Sequence, residues 1–130
     1  CYYDNSTANG RKYGALYTYN AAKQACPNGW HLPSKAEYET LLNNYGGNSD
    51  YGANYKALIP GGSSGFSVLF GGYRSYYGNF RNLGNRGYFW SSSARDDTSA
   101  WSLSVRSSSE EAHLYYHDRS VGRSVRCLQD

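Results

Sequence analysis

From Phe89 to Cys127 the chain sets single apolar residues, Trp90, Trp101, Leu103, Val105, Leu114, Val121 and Val125, into a dense polar background. Around Trp101 the alternation is strict. Trp101, Leu103 and Val105 fall on one side and Ser102, Ser104 and Arg106 on the other, the period of a half-buried strand that turns its second set to solvent. The apolar signal fades over Ser107 to Glu111 and returns weakly from Ala112 to Asp118, before a turn near Val121 and Gly122. That sequence of signals predicts a hairpin. Ser124 to Leu128 alternates again, with Val125 opposite in face to Arg126, and predicts a closing strand.

The first half of the chain reads differently. Cys1 to Lys12 is polar and predicts a loop, while Tyr13 to Tyr19, rich in aromatic residues, predicts a first strand. Asn20 is placed to cap a short helix from Ala21 to Cys26, which Pro27 must end. Ser34 and Glu37 form a Ser-x-x-Glu capping box, predicting a helix from Lys35 to about Asn44 with Tyr38, Leu41, Leu42 and Tyr45 on one face. Gly46 to Gly65 predicts a loop carrying a short helical turn over Tyr55 to Ile59. Gly65 to Arg74 predicts a strand interrupted by glycines, and Ser75 to Arg86 a long irregular loop. Helices come early and strands late, so the fold class is α+β.

Composition narrows the function more than the fold. The chain has 130 residues, 15 of them glycine and 15 tyrosine, a balance that suits turns and loops fixed by aromatic packing. One domain, residues 1–130, accommodates this length. Thirteen basic and ten acidic residues give a net charge of +3 without a basic run, which argues against nucleic acid as a partner. No apolar run approaches the roughly 18 residues of a membrane span. A start at Cys1 and the absence of methionine suggest a processed protein or a domain of a longer one. Three cysteines without a CxxC are compatible with one disulfide and one remaining thiol, and disulfide use implies a secreted or surface location. Asn5-Ser6-Thr7 fits a glycosylation sequon.

Candidate chemistry is thin. Asp96 and Asp97 with Glu110 and Glu111 offer oxygens for a cation, but adjacent acidic residues in loops are more often solvated. His113 and His117 suit a metal only on a helix; in a strand they are contact residues. Pro60-Gly61-Gly62 lacks the Lys-Ser/Thr of a phosphate loop, and no nucleophile, base and acid set stands out. No catalytic residue, metal or cofactor is expected.

The segment from Tyr19 to Leu41, with Ala22, Cys26, Gly29, His31, Leu32, Ser34 and Glu37 in order, resembles the signature of the C-type lectin fold. More closely, that segment together with GFSVLFGGYR, GYFWSSS and SVRCLQD resembles the Fibrobacter succinogenes major paralogous domain, a family of surface proteins in Fibrobacter and Bacteroidetes. The resemblance spans nearly the whole chain. It implies two helices packed on small antiparallel sheets with long irregular loops, and chain ends brought together in a sheet. It also implies a Cys26–Cys127 disulfide, whose loop of roughly a hundred residues would contribute about 3 to 5 kcal/mol in the chain-entropy account, leaving Cys1 over.

The stretch from Phe89 to Cys127 further resembles the variable regions of proteins targeted by diversity-generating retroelements, where polar, mutually unlike residues fill positions between retained apolar ones. That resemblance marks residues 89–127 as a candidate variable ligand-binding region. The positions are Arg95, Asp96, Asp97, Ser99, Ser102, Ser104, Arg106, His113, Tyr115, Tyr116, His117, Asp118, Ser120 and Arg123. It implies a non-enzymatic receptor or adhesion module, extracellular at a cell surface or on a phage virion, within a longer protein, that binds a protein or cell-surface ligand.

A fixed carbohydrate or cell-wall adhesin using Tyr73, Arg74, Ser75, Tyr76 and Tyr77 is the competing expectation. Calcium-dependent sugar binding has no support, because the Glu-Pro-Asn and Trp-Asn-Asp ligand sets are missing. Formylglycine-generating enzymes also resemble the chain in part. They need an active-site cysteine pair, which the implied disulfide leaves unfilled.

Overall fold

The computed structural model describes residues 1–130. The order of elements is a 3-10 turn at Tyr3–Asn5, α1 (Thr7–Tyr13), α2 (Tyr19–Ala22), β1 (Trp30–His31), α3 (Lys35–Asn43), α4 (Tyr51–Leu58), β2 (Gly71–Arg74), β3 (Phe80–Leu83), β4 (Arg86–Ala94), β5 (Ser99–Arg106), β6 (Glu111–Asp118) and β7 (Leu128–Gln129). Four helices and three small antiparallel sheets make it α+β, with sheet orders β1-β7, β2-β3 and β4-β5-β6.

Strands β4 and β5 of the central sheet are packed on both faces. Phe89, Leu103, Val105 and Ala112 pack on one side against Tyr38 and Leu42 of α3, Leu58 of α4 and Val68. Trp90 and Ala100 pack on the other against Tyr19, Ala22, Leu32 and Val121. Aromatic residues in this second layer bury area while their polar atoms find partners. Trp90 Nε1 donates to the Tyr17 carbonyl at 2.7 Å, and the Tyr19 hydroxyl donates to the Ser92 carbonyl at 2.7 Å. The Cys26–Cys127 disulfide joins the segment after α2 to the last turn of chain across a sequence separation of 101.

Helix α3 forms as its capping box predicts: Ser34 Oγ accepts from the Glu37 amide at 3.1 Å, and Glu37 Oε1 accepts from the Ser34 amide at 2.9 Å. Elsewhere the structure corrects the expectations. Residues expected as a loop at the N-terminus form α1, capped by Ser6, with Gly10 beneath the Tyr2 ring where a Cβ would come within 2.6 Å. No α1 residue is buried, so the helix has no apolar face to betray it.

Tyr13 to Tyr19 is not a strand. Tyr13 ends α1, and the segment makes a single bridge, Tyr17 to Arg123. Helix α2 starts earlier than expected, capped by Thr18 rather than Asn20, because Tyr19 is drawn into the core; it ends at Ala22, leaving Cys26 beyond it.

The helical turn near Tyr55 extends back to Tyr51, where Asp50 caps α4. Of Gly65 to Arg74 only the last four residues pair as β2, and β3 lies inside the region expected to be irregular. The closing strand is only β7, paired with β1, so the C-terminal end meets residues 30–31 rather than the N-terminus.

Ser102 and Ser104 do not face solvent: they are 0% and 2% exposed. Their face of β5 is roofed by the buried Arg123, whose Nη1 donates to Ser102 Oγ at 2.7 Å and whose guanidinium lies 4.2 Å from the Tyr88 ring centre. A period-two pattern marks which residues share a face and not whether another layer covers it.

Candidate functional site

Strand β6 is the outer strand of the central sheet, and its first half is blunted by α4, where Asn54 Nδ2 donates to the Ala112 carbonyl at 3.0 Å. Such cover protects an edge from pairing with foreign strands. Further along, Tyr115, His117 and Asp118 are exposed. The Tyr115 and Tyr116 rings stack at 4.7 Å with an interplanar angle of 11°. Tyr116 meets the half-buried Trp101 edge-on at 5.4 Å. Arg95, from the β4–β5 loop, lies 3.6 Å over Tyr116, and Lys35 Nζ lies 4.0 Å over Trp101. Cations over aromatic faces hold these rings in place without sealing them from solvent.

Two shallow clefts sit at this end of the sheet. One, of about 360 Å³, is lined by Arg95, Asp96, Thr98, Ser99, Tyr116, His117 and Asp118. Its neighbour, of about 520 Å³, shares Thr98 and Asp118 and adds Thr18, Asn20, Tyr76, Asp97, Arg119 and Ser120. Eight of the positions marked from sequence therefore converge: Arg95, Asp96, Asp97, Ser99, Tyr116, His117, Asp118 and Ser120.

The others separate. Tyr115 adjoins this group through its stack, and Arg106 and His113 lie toward the opposite end of the hairpin. Ser102, Ser104 and Arg123 are buried beneath the sheet surface.

The converging acids have different duties. Asp96 Oδ1 accepts from the Thr98 and Ser99 amides at 2.9 and 2.8 Å and from the Ser99 hydroxyl at 2.9 Å, so it ties the loop. These bonds, led by the Thr98 amide, hold its carboxyl at about 2. Asp118 accepts from the Ser120 hydroxyl and amide, which lowers it in the same way. Asp97 makes no such bond in the loop and is exposed.

His117 is open to solvent on one side, yet the neighbours packed around its ring, and then Arg123 and Arg106, push it down to about 4. It meets a ligand as a neutral imidazole. Asp96 and Asp97 precede β5 while Glu110 and Glu111 follow it, so the two acidic pairs sit at opposite ends of that strand and do not converge on one cation.

Residues distant in sequence complete the surface. Arg119 reaches the Asp96 carbonyl through Nη2 and lies 5.1 Å from the Tyr19 ring centre, tying the end of β6 to the β4–β5 loop. Lys35 comes from α3, while Tyr51 stacks on His113 at 5.0 Å toward the other end of the hairpin. No local pattern announces such contacts. Tyr73, expected in a sugar-holding loop, packs edge-on against Tyr88 at 5.4 Å, whereas Tyr76 and Tyr77 are 67% and 86% exposed.

Residues 1–129 match the family model described as Fibrobacter succinogenes major domain, and the chain belongs to that family. No curated protein and no solved structure matches it.

Proposed function

We propose that this member of the Fibrobacter succinogenes major domain family is a non-enzymatic ligand-binding module displayed outside the cell. Its contact surface is the exposed end of β6 with the β4–β5 loop. One observation carries the reading: Arg95, Tyr116, Tyr115 and His117 form a preorganised aromatic and cationic array, over shallow clefts, on a scaffold closed by a disulfide. Rigid aromatic area with adaptable polar neighbours binds protein surfaces at low entropic cost. The disulfide and the lack of any helix long and apolar enough to cross a membrane are consistent with an extracellular setting.

In this reading the fold is C-type lectin-like, and the exposed positions are those a diversity-generating retroelement rewrites. The buried Ser102, Ser104 and Arg123 then belong to the scaffold side. The test is to replace Arg95, Tyr115, Tyr116 and His117 together. Ligand choice changes while the melting temperature stays within a few degrees; collapse of the fold would sink the proposal.

The larger cleft favours a second reading, a carbohydrate adhesin, since exposed Tyr76 stands beside Asn20, Asp97, Asp118 and Arg119. An aromatic wall with convergent hydrogen-bonding groups suits a sugar ring. Glycan-array binding abolished by Tyr76→Ala would favour it over a protein ligand.

A further inference from the structure

At the opposite end of the central sheet, Arg86 of β4 and Arg106 of β5 are direct cross-strand partners and share one face. Like charges placed opposite each other in this way repel. Behind them lies Arg123, buried, on the Tyr88 ring; Arg86 Nη1 donates to that tyrosine's hydroxyl at 3.3 Å. None of the three guanidiniums has a carboxylate oxygen within ion-pair distance: the chain's four ion pairs are His31–Glu37, His31–Asp130, Lys35–Glu39 and Arg95–Asp96. Glu111 faces Arg106 in register on β6 without forming a pair.

The hydrogen-bonding capacity here is also unspent. Ser104, 2% exposed, has an unpartnered hydroxyl, and beside it Arg106 Nε and His113 Nδ1 are buried atoms without partners. Register places Ser104 between Tyr88 on one side and His113 on the other, on the face that carries both arginines. Buried polar groups left unpaired in a native fold call for an explanation. An anion supplies one, since a carboxylate accepts from planar guanidinium forks in two directions.

We infer that the Arg86–Arg106 face receives an acidic side chain, Asp or Glu, from the protein ligand of this module. The inference rests on the ligand-binding reading above and adds a ligand chemistry to it. Charge complementarity selects the occupant: three arginines and one unpaired glutamate leave the face cationic, and an acidic peptide segment neutralises it. Burial first and then Arg106 lower the pKa of His113.

The experiment titrates the folded chain with hexaglutamate, hexaglutamine and a thymidine oligonucleotide of matching charge, following the Arg106 Nε–H and His113 ring signals by NMR. Hexaglutamate moves both signals and hexaglutamine neither. R86Q and R106Q each weaken the interaction at least about tenfold. R86K, which keeps the charge but loses the fork, weakens it less and guards against misfolding of the glutamine variants.

Unmoved signals, parental affinity in R86Q and R106Q, or tighter binding of the oligonucleotide would overturn the inference. The two readings fail separately. If hexaglutamate binds at the arginines but a selected protein partner ignores changes at Arg95 and Tyr115, the exposed-end surface falls. If the partner depends on Arg95 and Tyr115 but hexaglutamate does not bind, only the acidic contact falls.

Discussion

Strands β5 and β6 are the two arms of one hairpin, eight residues each, paired residue for residue from Ser99↔Asp118 to Arg106↔Glu111. Their fates differ. Leu103 and Val105 of β5 are fully buried against α3 and α4, and Ser102 and Ser104 are buried beneath the opposite layer. On β6, Tyr115 opposite Ser102, and His117 and Asp118 opposite Ala100 and Ser99, are exposed, although Ala112 opposite Val105 is buried. The difference comes from position. A middle strand has neighbours on both edges and layers on both faces, while an outer strand keeps one edge and the rim of each face for solvent. A hairpin thus divides labour, with one arm fixing the scaffold and the other presenting side chains.

The comparison breaks most severely when the scaffold is opened. Reducing the Cys26–Cys127 bridge, or replacing both cysteines with serine, removes a cross-link over 101 residues of sequence. That should cost about 3 to 5 kcal/mol, read by denaturant unfolding of the two forms. Next in size is the contrast within one cross-strand neighbourhood. Leu103→Ala empties part of the core beside Phe89 and Val105 and loses about 2 to 5 kcal/mol, while Tyr115→Ala on β6 stays within about 0.5 kcal/mol. Thermal melts of the two variants check it, and equal losses would erase the distinction between the arms.

A smaller effect concerns how the chain end is held. His31 lies between two carboxylates, Nε2 2.9 Å from Glu37 Oε2 and Nδ1 2.7 Å from Asp130 Oδ1. The bond to Glu37 first, then that to Asp130, raises its pKa. A raised folded value means the contribution is complete below the unfolded value of about 6.5 and is lost as pH rises through the folded one. Stability and amide protection of β1 and β7 should fall in that window, and His31→Gln should flatten the profile. The smallest change is Ser104→Val. Removing an unpartnered buried hydroxyl should leave stability unchanged or raise it by up to about 1 kcal/mol, where a solvent-facing serine would show no gain.

What could be read in advance follows the same division. The capping box of Ser34 and Glu37 and the apolar face through Tyr38 and Leu42 announce α3, because cap and core signals are both local. The bridge between Cys26 and Cys127 was legible through family resemblance, since spacing alone cannot pair three cysteines. Helix α1 was not legible, as it buries nothing and rests on the Ser6 cap and the Gly10 contact with Tyr2.

The burial of Ser102 and Ser104 was hidden for another reason. The residue that covers their face, Arg123, comes from beyond the hairpin, and an arginine without an ionic partner is not an expected roof. Arg95, Tyr116, His117 and Asp118, marked from sequence as contact positions, lie together, whereas Lys35 of α3 is brought to Trp101 only by tertiary packing.

The most direct test of the account is a displayed library in which Arg95, Asp97, Tyr115, Tyr116, His117 and Ser120 are randomised together. Each member is scored for protease resistance and for ligand preference. Most members should resist proteolysis like the parent and differ in what they bind. Widespread loss of resistance, as in a parallel library at Ser102, Leu103 and Ser104, or binding indifferent to all six positions, would contradict it.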